Sequence, residues 1–152
     1  MKVRCTRKNV NDLKDNQSLK KYYNHIYDRV NPECSKNYSR TDIGYESVVF
    51  AIIFRGQYVW YYIRKPDSSD IIHVPNACFE IIDNRLSKYW CLSTKRIDNY
   101  DRRFYDEPFI QTTIAIKEWV EEPWFLEKFV DEQPREFKKM NEAAMLIEVE
   151  FS

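Results

Sequence analysis

The densest grouping of potentially reactive side chains in this 152-residue chain is acidic: Glu118, Glu121 and Glu122 fall together, and Asp131 and Glu132 follow. Paired carboxylates could divide general-acid and general-base work in the hydrolysis of glycans or nucleic acid. Positions 118, 121 and 122 also share one face of a helix, where a solvated acidic surface needs no chemistry to explain it. The functional alternative is a docking surface that steers a basic partner protein and raises its association rate. Two histidines, His25 and His73, are too distant in sequence for a local metal motif, and neither stands at zinc spacing from a cysteine. Cys34 and His25 with an aspartate have the residue types of a nucleophilic triad, but no G-x-S-x-G accompanies them. Two glycines, Gly44 and Gly56, leave no loop able to cradle phosphate. The expectation is therefore a non-enzymatic protein with no metal and no cofactor, and a hydrolase ranks third among the readings.

A second group is aromatic. Tyr58, Trp60 and Tyr62 form a stripe near Arg55, Arg64 and Lys65, the kind of surface on which unpaired bases stack while cations follow phosphate. Aromatics in that pattern equally fill the interior of a small barrel, or anchor a protein partner. A single-stranded nucleic-acid-binding module is thus the alternative to protein binding.

Stepping outward, a formal net charge of zero hides a gradient: residues 1–65 hold 13 Lys/Arg and 6 Asp/Glu, whereas residues 105–152 hold 5 and 12. That asymmetry marks either charged partners or two elements facing each other in the fold. The opening MKVRCTRKNV has no apolar run behind its basic residues, and no apolar stretch is long enough to span a bilayer. The expected setting is cytoplasmic, away from membranes, with Cys5, Cys34, Cys78 and Cys91 as free thiols.

The elements that must position these groups follow from periodicity. Lys2 to Thr6 alternates as a short strand with Val3 and Cys5 inward, and Ser18 can cap a helix through Val30. SVVFAIIFRGQYVWYYIR (47–64) reads as a hairpin turning at Arg55-Gly56. In its first strand Val48, Phe50, Ile52 and Phe54 are expected on one face, and Val49, Ala51 and Ile53 on the other. Both faces being apolar, this strand should be central. Further strands are expected at 71–74, 78–83, 89–93 and 109–116, with one helical turn at Pro75-Asn76-Ala77. Pro123 and Pro134 each suit a first helical position. The first of these helices would bury Trp124, Phe125, Leu126, Phe129 and Val130. The second would bury Phe137, Met140, Ala144 and Leu146 or Ile147. Strands followed by helices predict one α+β domain over residues 1–152: a strongly bent antiparallel sheet, or a partly open SH3-like barrel, packed by C-terminal helices.

MKVRC (1–5), the Val74-Pro75-x-x-x-Phe79-Glu80-Ile81-Ile82-Asp83 segment, Tyr89-Trp90 and KEWVEEPWFLEKFVDEQPREF (117–137) together resemble a group of small, poorly characterised bacterial proteins with an M-K-V-[KR]-C first strand. The resemblance implies an SH3-like β portion and, for some members, an immunity or accessory role beside toxins. It covers about half the chain and carries over no functional residue; the region 6–44 departs from it as a long insertion. A toxin-neutralising protein is accordingly the most concrete form of the protein-binding expectation.

Overall fold

A computed structural model of the chain describes residues 1–12, 17–18, 20–21, 23, 39–56, 58–97 and 108–152. The helix expected from Ser18 to Val30 falls mostly outside the described residues, as does His25. The architecture is α+β: among the described residues seven antiparallel strands form one open, bent sheet, and three helices follow it. The strands are β1 (Lys2–Cys5), β2 (Glu46–Arg55), β3 (Tyr58–Arg64), β4 (Ile71–Pro75), β5 (Phe79–Asp83), β6 (Trp90–Ile97) and β7 (Phe109–Ile116). A 3-10 turn at Asn76–Cys78 separates β4 from β5, where Pro75 cannot donate to a further ladder rung.

Strand β2 is the organising element. One edge pairs with β3 along most of its length; the other is shared, β1 taking Glu46–Val48 and β7 taking Ile52–Arg55. The change of partner coincides with a bulge. The β2–β3 register slips by one between Val49↔Ile63 and Ala51↔Tyr62, leaving Phe50 as the extra residue. The carbonyl of Phe50 accepts the indole N–H of Trp90 at 3.0 Å, which satisfies a backbone group that the two ladders leave between them.

The bulge corrects the expected alternation. Phe50 and Ala51 point the same way, so Val48, Phe50, Ala51 and Ile53 face the helices while Val49, Ile52 and Phe54 face the other core. Strict period-2 reading fails wherever an extra residue is inserted. The second core gathers side chains from all seven strands, among them Val3, Ile63, Val74 and Ile114. Strand β2 is buried on both faces, as its composition requires. The hairpin turn also lies one residue later than expected: Arg55 pairs with Tyr58, and Gly56 adopts φ 61 in the first loop position.

Helix α1 (Lys117–Glu121) leaves β7 directly, α2 is Phe125–Val130 and α3 is Pro134–Glu150. Pro123 does not begin a helix. It forces Glu122 to φ −82, ψ 125, so the chain breaks between α1 and α2. Pro134 does open α3. The buried stripe of α3 is Glu136, Met140, Ala144 and Ile147; Phe137 and Leu146 are exposed, because the helix turns its 136/140/144/147 face to the sheet. Among the described residues no helix is long and apolar enough to cross a membrane.

Candidate functional site

The aromatic stripe lies mainly in the core. Trp60 and Tyr62 retain 4% and 8% exposure, and only Tyr58 is half-buried. The ring of Trp60 meets Tyr23 edge-on at 5.1 Å and His73 at 5.4 Å, while Tyr62 meets Trp119 at 4.7 Å. Tyr23 donates its hydroxyl to the Val59 carbonyl at 3.1 Å, and burial pushes its phenol pKa well above the ordinary value. As candidate partner contacts, Trp60 and Tyr62 are therefore corrected. Facing helices and the Tyr23 ring, they present no platform to bases or to another protein.

The acidic candidates divide. Glu118 and Glu122 face α3, where Lys139 reaches both carboxylates at 3.4 and 3.3 Å, and Arg135 grips Glu122 at 2.8 and 2.9 Å. The Arg135 guanidinium, with Lys139, holds the Glu122 carboxyl below the usual carboxylate range, so it is anionic at neutral pH and unsuited to general-acid work. Glu121 lies near Lys117 at 3.9 Å, on the surface. Asp131 and Glu132 are exposed in the turn between α2 and α3. There the Glu132 and Gln133 amides donate to the Phe129 and Lys128 carbonyls at 3.0 and 2.9 Å, a Schellman closure in which Glu132, at φ 54, occupies the place usually given to glycine. Charge that looked available for a partner is thus partly spent within the chain. Among the described residues no three His, Cys, Asp or Glu side chains converge as a metal site.

What the sequence does not announce is a groove of about 590 Å³ between the β2–β7–β6 surface and the α1–α2 turn. Strand register builds its floor. Ile53 pairs with Thr113 and Thr113 with Ser93; one row along, Arg55 pairs with Gln111 and Gln111 with Lys95. Two rows of three side chains from distant segments thereby lie side by side. Along the second row Arg55 Nε donates to Gln111 Oε1 at 2.9 Å, and the Gln111 amide N–H donates to Thr113 Oγ1 at 3.3 Å. Lys95 Nζ crosses the groove to the Val120 carbonyl at 3.0 Å, at the C-terminal end of α1 where a cation is favoured.

Above the floor, Trp119, Val120, Phe125 and Leu126 make an apolar wall, and Trp124 stands at its lip. The break at Pro123 leads into Trp124 at φ 62, ψ 19, a left-handed conformation unusual for a bulky residue. This turns the indole outward at 70% exposure, where helical periodicity expected it inside; Val130, also expected inside, is 67% exposed. Backbone strain is enriched at functional sites and tryptophan at interface hot spots, each by itself. His73 lies outside this groove. Compared with known proteins, the chain matches no family model, no curated protein and no solved structure.

Proposed function

We propose that this is a non-enzymatic protein-binding protein that receives its partner on Trp124 and the groove beneath it. Trp124 is the observation that carries the reading: a large aromatic, 70% exposed, held outward by a left-handed backbone at the mouth of an apolar-walled groove. Tryptophan is the residue most enriched at binding hot spots. A nucleic-acid platform fits less well, since strand binding uses successive stacking rings along a basic track, whereas Trp124 is the single exposed ring among the residues lining this groove. Neutralising a toxin in the cytoplasm is the most concrete form of the proposal, and the sequence resemblance supports that form. The test is size-exclusion chromatography of the wild type and Trp124→Gly with the products of neighbouring genes. Co-elution with the wild type alone is expected. A complex that the substitution leaves intact, or none with either chain, counts against the reading.

A further inference from the structure

Resting on that reading, we propose that the groove selects an acidic anchor: a partner segment in which an aliphatic or aromatic side chain stands next to an aspartate or glutamate. Apolar selectivity comes from Val120, Phe125 and Leu126, which wall a space large enough for one or two side chains. Carboxylate selectivity comes from the balance of charge. Of the two carboxylates in the lining, Glu127 remains, against three cations, Arg55, Lys95 and Arg96; Glu122 is already neutralised by Arg135 and Lys139. Lys95 has the opposite status. Its one hydrogen bond is to the Val120 carbonyl, and no carboxylate among the described residues pairs with it. An ammonium beside apolar walls attracts an incoming carboxylate more strongly than the same charge does in open water, and charge-assisted hydrogen bonds are about twice as strong as neutral ones. The occupant is part of a macromolecule rather than a free metabolite, because a small ligand inside the groove would leave the outer face of Trp124 uncovered.

The probe is a random-peptide phage library panned on the wild-type chain and counter-selected on Trp124→Gly. Enriched clones should carry Asp or Glu within two positions of an apolar residue. The strongest peptide is then measured by fluorescence polarisation, alongside its Asn/Gln version, against the wild type, Lys95→Gln, Lys95→Arg and Lys88→Gln. Neutralising the peptide carboxylate should weaken binding about tenfold on the wild type, equivalent to about 1.4 kcal/mol, and hardly at all on Lys95→Gln. Lys95→Arg should restore the dependence, and Lys88→Gln, remote from the groove, should leave it unchanged. Matching urea midpoints confirm that each variant is folded. Enrichment of basic or uncharged peptides, or an equal carboxylate effect on Lys95→Gln, overturns the acidic anchor while leaving protein binding in place. A library that yields no clone distinguishing the wild type from Trp124→Gly overturns both.

Discussion

Removing the indole of Trp124 should hardly change stability, although tryptophan deletions are usually among the most damaging. Trp124 is 70% exposed, so about a third of its surface is covered. A tryptophan side chain offers up to ~250 Å², and at ~25 cal/mol per Å² that third stabilises the fold by ~2 kcal/mol at most. Compactness of the unfolded chain lowers the figure by about 10–40%. Against it stands the backbone: at φ 62, ψ 19 a side chain destabilises the turn by ~1–2 kcal/mol, a strain that glycine escapes. The two terms nearly cancel, and Trp124→Gly should alter unfolding free energy by less than about 1 kcal/mol. Trp119 packs against Tyr62 and retains 8% exposure, so Trp119→Ala should cost about 3–5 kcal/mol. Urea unfolding followed by far-ultraviolet circular dichroism reads both from midpoint and slope. If Trp124→Gly loses more than about 2 kcal/mol at an unchanged slope, the residue is a structural support and the recognition argument collapses.

Other outcomes follow from the same physics. Glu132→Gly should stabilise by about 0.5–1 kcal/mol in urea, because it relieves a left-handed side-chain position in an otherwise intact Schellman closure. Trp90→Phe should lower stability by about 1–3 kcal/mol beyond its volume loss, since the Phe50 carbonyl loses its donor; a shift under about 0.5 kcal/mol would mean water replaces the indole without penalty. Arg85 holds the Asp83 carboxyl down to about 2 through its side-chain and backbone hydrogen bonds. A depressed carboxylate stabilises the folded state fully above its unfolded value near ~4, and that contribution fades as pH falls towards about 2. Asp83→Asn should therefore lower the urea midpoint at neutral pH and flatten its decline through that acid window; an unchanged slope there refutes the assignment.

Much of the sheet is legible in the chain because its strands carry local signals: the double-faced apolar run at 48–54, the alternation of Lys2 to Cys5, and the Pro75 break. The extra residue at Phe50 is not, since a bulge is chosen by the need to hand one edge from β1 to β7, and that need involves segments far apart in sequence. The groove was hidden for the same reason. Its Lys95–Gln111–Arg55 row exists only once three strands are in register. Trp124 misled because its composition fits a helical face, and the signal against that reading was Pro123 directly before it. The acidic candidates were visible as residues but not as partners, since Arg135 and Lys139 come from another helix.

Sharing one edge of β2 between two strands has a kinetic consequence. The β2–β3 hairpin closes a short loop, whereas joining Lys2 to Val48 or Ile52 to Ile114 encloses long stretches of chain before any contact rewards it. The hairpin should therefore be the folding nucleus, with β1 and β7 arriving late as competitors for a single vacant border. Substitutions in the hairpin should slow folding, and those in β1 or β7 should chiefly hasten unfolding. The Trp90 clasp on Phe50 then acts as a boundary post, stopping either latecomer from sliding into the other's half and trapping the chain in a mispaired sheet.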